Sequence, residues 1–414
     1  MSRVVMKFGG TSVATPQRLR AVAARLIARH DAGDEVVAVV SAMGKVTDDL
    51  LALAHEINPE PPEREQDMLL ATGEQVSIAL LAMAVQAAGA DAISFTGPQV
   101  GIVTDAVHSK AKIVAIDAAC VGEALAAGQI VIVAGFQGRT TDGEITTLGR
   151  GGSDTTAVAL AAGIAADVCE IYTDVDGVYT ADPRIVPAAQ KIDVISYEPM
   201  LEMAASGAGV LSMRSVEFAR NHAVTIHCRS SFTDTTGTIV KEAQPDMEDA
   251  IVSAVTHDRG EAKITIRGVP DRVGIAARVF STLADANVNV DMIIQNISEE
   301  KKTDISFTAP QTDLHRVTQA LDACMAEIGA REWVIDDDIA KVSIVGAGMK
   351  THAGVTAKMF QTLADAGVNI DLISTSPIRL SCIIAADQMD DAVRALHTAF
   401  GLDATDVIEE ATPC

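Results

Sequence analysis

The fold is decided by TTLGRGGSDTTAVAL, residues Thr146–Leu160. Gly149, Arg150, Gly151, Gly152, Ser153 and Asp154 crowd one short segment, and an apolar, Ala-rich helical pattern follows at once. Glycine lets backbone approach a ligand closely. A helix N-terminus offers unpaired N–H groups and the positive end of its dipole. Together they make an anion cradle, with phosphate as the obvious anion. Arg150 adds a fork suited to a carboxylate or a phosphate, and Asp154 adds the opposite charge one turn on. The same residues also suit a plain tight loop in which Ser153 caps the helix.

Composition narrows the classes. With 414 residues the chain predicts two or three domains. Its 48% hydrophobic content and mean hydropathy of +0.24 predict packed globular structure, and 3% aromatics leave Ala, Val, Ile and Leu to fill the cores. A formal net charge of −24 argues against a protein that grips a nucleic-acid backbone. It leaves a nucleotide site open, since one phosphate site needs only local positive charge. The six cysteines form no CxxC pair, so neither a zinc knuckle nor a secreted disulfide scaffold is expected, and buried thiols in a reducing cytosol are. MSRVVMKFGG does not read as a signal peptide. Gln75–Ala90 is short for a membrane span and reads as a buried helix.

Upstream of the cradle, strands alternate with helices. Arg3–Phe8 predicts a strand with Lys7 at its carboxyl end, followed by a Gly9-Gly10-Thr11-Ser12 turn and a helix capped by Thr15 with Pro16 at its first position. This is phosphate-loop logic without the Walker A spacing. Val36–Ala42 predicts a strand buried on both faces, and Ser41 and Thr47 lie past its end. Gly73-Glu74 is expected to open a long helix, which puts Glu74 in a first turn, where the dipole favours it and where it can meet a substrate ammonium. Thr96–Lys112 reads as loop or irregular hairpin, and Ile130–Ala134 as a further buried strand.

Downstream, Val168–Thr173 predicts a strand. Asp174, Asp176, Tyr179, Asp182 and Arg184 follow it without EF-hand spacing. Thr225–Arg229 is expected to be the last strand of this part, with Ser230–Thr238 a polar turn. Polar groups gathered after strands predict an α/β sandwich with a mostly parallel central sheet. Phosphoryl transfer suits such a set, because it needs positioned charge and Mg²⁺ rather than a covalent nucleophile.

Beyond Gln244–Asp249, a linker pattern, the chain repeats itself. GIAARVFSTLADANVNVDM from Gly274 matches GVTAKMFQTLADAGVNIDL from Gly354 at 11 of 19 positions. Each copy predicts strand, helix, strand, strand and helix, with second strands at Val288–Ile293 and Val368–Ile373. That is a split βαβ, α+β ferredoxin-like module.

KFGGTSV at Lys7–Val13, GRGGSDTTA at Gly149–Ala157 and TDVDGVYTADPR at Thr173–Arg184, in this order, resemble the monofunctional aspartate kinases of the amino acid kinase family across essentially the whole chain. The repeats resemble ACT domains. The resemblance implies a catalytic domain at 1–243, a linker at 244–249 and ACT modules at 250–335 and 336–414, interlocked or side by side. It implies ATP-dependent phosphorylation of the β-carboxylate of L-aspartate to 4-phospho-L-aspartate, the first step toward lysine, threonine, methionine and diaminopimelate.

By the same resemblance, Lys7 neutralises the transferring phosphoryl group, with Gly9, Gly10 and Ser12 at the phosphates. Arg150 holds the substrate carboxylate. Ser41, Thr47, Glu74, Ser153 and Asp154 complete the aspartate pocket, and Thr173, Asp174, Tyr179, Asp182 and Arg184 line the nucleotide side. Asp271, Gly274, Ile275, Ala276 and Gln295 in one module, and Val355, Thr356, Asn369 and Ile370 in the other, are the implied effector residues. ATP is the implied cofactor, with Mg²⁺ carried mainly by its phosphates and no metal ligands from the protein. The implied setting is cytoplasmic, away from membrane and nucleic acid. The assembly is a homo-oligomer through the ACT modules or an oligomer with a shorter ACT-containing subunit.

Two positions depart from the family pattern. Gly209 stands where relatives often have a lysine near the nucleotide, so one phosphate-side charge is either missing or supplied by another residue such as Arg214. Pro377 stands where relatives inhibited jointly by lysine and threonine often have glutamate, which favours threonine over lysine as effector. A kinase for another amino-acid carboxylate would share the amino-terminal architecture but lack this tail. A nonenzymatic amino-acid sensor would leave Lys7, Arg150 and Asp154 unexplained. A dehydrogenase would need a dinucleotide fingerprint that KFGGTS is not.

Overall fold

The computed structural model describes residues 2–243, 252–297, 302–350, 352 and 354–403, so the linker expected at 244–249 lies outside the described residues. The chain forms two compact units. The first takes residues 2–179, 191–205 and 209–243.

Its elements are β1 (Arg3–Phe8), α1 (Pro16–Asp31), β2 (Glu35–Val40), α2 (Val46–Ile57), α3 (Glu63–Ala87), β3 (Ala92–Phe95), β4 (Ile102–Thr104), β5 (Ile113–Ile116), α4 (Ala119–Ala126), β6 (Ile130–Ala134), β7 (Gln137–Arg139), β8 (Ile145–Thr147), α5 (Gly152–Gly163), β9 (Val168–Thr173), β10 (Val194–Ser196), α6 (Tyr197–Ala205), α7 (Met213–His222), β11 (Ile226–Ser230) and β12 (Thr238–Lys241). The main sheet runs β10-β12-β11-β9-β1-β2-β6-β3, parallel except at β11–β12. A second sheet, β5-β4-β7-β8, carries the segment that leads into the GRGGSD loop.

Alternation along β1 sorts the two faces of the main sheet. Val4, Met6 and Phe8 join Leu19, Val22 and Leu26 of α1 and Ile78, Leu81 and Val85 of α3 in one core. Phe8 stacks on Tyr172 with ring centroids 4.7 Å apart, a contact worth about 1 kcal/mol beyond burial. Lys7 therefore points to the other face, where α5 lies.

Two expectations fail in this unit. Helix α3 begins at Glu63, ten residues before the predicted start, and Gly73 is interior. Gly73 is explained by packing: a Cβ there would lie 2.9 Å from the Ala42 Cβ. Glu74 is thus mid-helix, and no first-turn dipole accounts for it. Strand β12 follows the stretch read as the final turn, so Thr225–Arg229 is not the last strand. The reading of Thr96–Lys112 as loop or irregular hairpin holds: β4 lies in it and pairs antiparallel with β5, with a register shift between Val103 and Thr104. Helix α3 is also long and apolar enough to cross a membrane by composition, yet 50% of that window is buried inside the protein.

The second unit takes residues 180–190, 206–208 and the described chain from 252. Its elements are β13 (Ala254–Asp258), β14 (Glu261–Pro270), α8 (Ile275–Asp285), β15 (Ile293–Ile297), β16 (Lys302–Pro310), α9 (Leu314–Ile328), β17 (Glu332–Asp336), β18 (Ile339–Val345), α10 (Val355–Asp365), β19 (Leu372–Thr375), β20 (Arg379–Ala385) and α11 (Met389–Ala399). The sheets run β15-β16-β14-β17 and β13-β18-β20-β19. Strand β13 precedes the first repeat but pairs with β18 of the second, so the first module is inserted into the second and the sheets do not follow the 250–335 and 336–414 halves.

The second strands of both repeats start later than expected. Val288 and Val368 bond back to Leu283 and Leu363, closing helices α8 and α10. Ladder pairing begins only at Ile293 and Leu372. Their burial serves the helix end, not a strand.

Candidate active site

Strand order fixes where a ligand can bind. From β1 the chain moves outward to β2 and β6 on one side and, after α5, to β9 and β11 on the other. Ligands in open α/β sheets bind at such a reversal, outside the carboxyl ends. Here those ends carry Lys7 on β1, Ser41 after β2, Gly135 after β6 and Thr173 at the end of β9. The Gly9-Gly10 turn sits in this crevice. A Cβ at Gly10 would lie 2.9 Å from the Ala42 carbonyl oxygen, so only glycine fits.

The GRGGSD loop reaches the crevice from above. Gly149 and Gly151 have φ of 76° and 70°, and Gly151 is the N-cap of α5. The expectation that Ser153 caps the helix fails, because Ser153 lies inside it. Its buried side chain packs against Gly135, where a Cβ would come within 2.7 Å of it. Asp154, in the first turn of α5, places Oδ1 2.6 Å from Lys7 Nζ, and both side chains are 12% exposed. The pair is close but not aligned as a hydrogen bond, and Oδ1 has no other donor. Behind it, burial pushes the Cys228 thiol up to about 12, so that sulfur stays protonated.

Arg150 is exposed at the loop tip. Arg214 does not serve as the substitute for a lysine at 209. Its terminal nitrogens donate to the carbonyls of Leu148 and Ala111, which ties it beneath the loop. Gly209 itself is exposed.

Glu74 is 2% exposed. Its Oε1 accepts the Ala42 N–H at 3.0 Å, while Oε2 is buried without a hydrogen-bond donor. Burial pushes its carboxyl up to about 7, against the opposing pull of N–H groups at Ala42 and in its own backbone. The buried Glu74 Oε2, lacking a donor, suits a ligand that brings positive charge, whereas Asp154 Oδ1 already faces the Lys7 ammonium. Ser41 and Thr47 are half-buried, after β2 and in the first turn of α2.

On the β9 side, the Ser12 hydroxyl is 2.6 Å from that of Ser231, and the Thr173 hydroxyl donates to Asp174. Tyr179 is half-buried. Asp182 and Arg184 belong to the second unit, where the guanidinium lies 2.7 Å from the carboxylate and holds it below the usual range.

Sequence reading passed over Asp67. It lies in the α3 turns not predicted to be helical and is fully buried. It accepts hydrogen bonds from Thr147 Oγ1 and the Ser109 N–H. The available signal was its spacing: Asp67, Leu70, Ala71, Glu74, Ile78, Leu81 and Val85 share one helical face.

In the second unit, Asp271, Gly274, Ile275, Ala276 and Gln295 line a cavity of about 150 Å³ together with Thr303. Val355 and Thr356 open α10, and Asn369 and Ile370 precede β19. Gly274 and Gly354 each cap a helix at positive φ, 95° and 102°, which explains the glycine in both repeats.

Comparison with known proteins agrees with this layout. The amino acid kinase family model matches residues 2–230, and the ACT domain model matches 264–324 and 342–400. Aspartokinase of Mycolicibacterium smegmatis is 56% identical over 411 residues, covering 98% of each chain. That of Corynebacterium glutamicum is 51% identical, again with 98% of each covered. Among solved structures, E. coli aspartokinase III in complex with aspartate and ADP superposes with a TM-score of 0.80 at 26% identity, over 96% of this chain and 99% of that one. The chain therefore belongs to the amino acid kinase family, as a close relative of the aspartokinases with a pair of ACT domains.

Proposed function

We propose that this enzyme phosphorylates the β-carboxylate of L-aspartate with ATP, giving 4-phospho-L-aspartate, and that amino acids acting at the ACT modules regulate it. The observation that carries the reading is Lys7 held 2.6 Å from Asp154 at the reversal of strand order, beside the Gly9-Gly10 turn. The acceptor is already a carboxylate, so catalysis asks for alignment and charge compensation rather than a strong base.

Lys7 presents its ammonium to the phosphoryl oxygens, and Asp154 fixes that ammonium in place. The Gly9-Gly10 turn lets the backbone approach the nucleotide phosphates, with the Gly10 N–H and Ser12 facing them, while the Gly9 N–H donates to the Tyr172 carbonyl. ATP supplies the phosphoryl group, and Mg²⁺ on its phosphates offsets charge. Arg150 receives the α-carboxylate of aspartate. Glu74 Oε2 accepts its ammonium, with Ser41, Thr47 and Ser153 as neighbours. Thr173, Asp174 and Tyr179 serve the nucleotide side.

The cavity at Asp271, Gly274, Ile275, Ala276 and Gln295 takes the effector, threonine before lysine, and Val355, Thr356, Asn369 and Ile370 form the matching site. Pro377 lies in the turn between β19 and β20, where Ser376 N–H donates to the Arg379 carbonyl, and it brings no carboxylate for a lysine ammonium. Assembly through the ACT modules, with a second copy or a shorter ACT-containing chain, and a cytoplasmic setting complete the reading.

The test is ATP- and Mg²⁺-dependent acyl-phosphate formation, trapped as hydroxamate, with L-aspartate against L-glutamate and with threonine or lysine added. Aspartate-specific product is expected. Product from glutamate alone, or none, overturns the reading.

A further inference from the structure

We propose that Asp67 is a positioning residue that sets the aspartate end of the site, an inference that rests on the function proposed above. Asp67 is the second acid on the buried face of α3, seven residues before Glu74. Its side chain is 0% exposed. Oδ1 accepts the Thr147 hydroxyl at 2.5 Å, both oxygens lie 3.1 Å from the Ser109 N–H, and Oδ2 is 2.7 Å from His108 Nδ1.

All these partners lie on two segments that shape the GRGGSD loop. Thr147 is three residues before Arg150. Ser109, at a φ of 65°, places its carbonyl oxygen 3.0 Å from where a Cβ on Gly149 would be, so the loop's path rests on it. The shelf is closed from its other end, where the Ala111 N–H donates to the Thr147 carbonyl at 3.0 Å and Arg214 bonds to Ala111 and Leu148.

A carboxylate is costly to bury, and an apolar residue would pack the same space at lower cost. What an apolar residue cannot do is hold Ser109 in the left-handed region and Thr147 in one rotamer at the same time. Asp67 thus fixes the shelf, the shelf fixes Gly149, and Gly149 aims Arg150. Misplacing a binding group by about 1 Å costs on the order of a hundredfold in rate.

The test compares Asp67→Ala, Asp67→Asn and Thr147→Val in the full chain. Asp67→Ala is expected to raise the aspartate KM at least about tenfold while the ATP KM stays within about twofold. Asp67→Asn, whose amide oxygen still accepts from Thr147 and Ser109, restores part of the loss. Thr147→Val removes one donor and shifts the aspartate KM the same way by less. Amide hydrogen exchange at 148–151 speeds up in all three but not in α1, a readout independent of activity. An inactive wild type removes the aspartate reading, while the exchange result still judges the positioning role. Unchanged exchange, or KM values for both substrates rising in parallel in folded variants, overturns the proposal. Should Asp67→Ala not fold, the Thr147→Val result decides.

Discussion

Lys341 of the second repeat is ion-paired with Asp291 of the first, Nζ to Oδ2 at 2.8 Å. The exchange is reciprocal, since Lys263 on β14 reaches Asp371 at 2.6 Å. Each module thus lends a lysine from its first core strand to the aspartate of the other's NVNVD or GVNID segment. Lys341 is 0% exposed and also meets Glu261 at 2.6 Å. Repetition of Asp291 and Asp371 therefore encodes how the modules lock together as well as a shared fold.

Breaking the buried half of this exchange is the more damaging. Burial alone would lower the Lys341 ammonium, but Glu261 and Asp291 outweigh it and hold it raised. Lys341→Met leaves Glu261 without its cation and Asp291 with only Arg379, 3.6 Å away, and is expected to cost about 3 kcal/mol. Lys263→Met, at a more exposed pair, is expected to cost about 1 kcal/mol or less. Urea unfolding should give a clearly lower midpoint for Lys341→Met.

Glu74 predicts a pH dependence with a definite sign. Between its ordinary 4.5 and about 7 the folded chain keeps a proton that the unfolded chain has released. Its contribution to stability is complete below 4.5 and is lost as pH rises toward about 7, by about 1.4 kcal/mol per pH unit. Glu74→Gln should lack that slope. Ionised Glu74 is the form that takes the substrate ammonium, so the wild-type aspartate KM should rise as pH falls below about 7. The glutamine variant should show a high, flat KM.

Gly151→Ala tests the loop. The residue sits at a φ of 70°, and a Cβ would lie 2.3 Å from the Ser212 Cβ. Strain of about 1–2 kcal/mol, with added displacement of Ser212, should lower both the unfolding midpoint and kcat/KM for aspartate. The same change at Gly33, also at positive φ but with nothing within 4 Å, should lower stability only.

Gly209→Lys tests the departure at the nucleotide side. With Arg214 committed to Leu148 and Ala111, no substitute comes from that side chain. An added lysine should lower the KM for ATP and leave that for aspartate unchanged, read from initial rates at saturating co-substrate.

Much of this was legible locally. Strand Val168–Thr173 and helix Leu314–Ile328 fall where their sequence pattern put them, because continuous apolar runs and period-3.6 stripes act within one element. What failed depends on distant partners. Gly73 looks like a helix boundary until Ala42 packs on it. Val288 looks like strand until its N–H turns back to Leu283. Lys7 and Asp154 were each visible, but their pairing needs β1 and α5 brought together across 146 intervening residues. The spacing of Asp67 placed it on the buried face of α3, but its role was not legible, because its partners Ser109 and Thr147 lie on other segments.

The most direct test is kcat of Lys7→Ala in the aspartyl hydroxamate assay, with circular dichroism to confirm folding. A fall of about a hundredfold or more at saturating aspartate and ATP is predicted, because the variant loses the charge that offsets the transferring phosphoryl group. A folded variant with near-wild-type kcat would contradict the account.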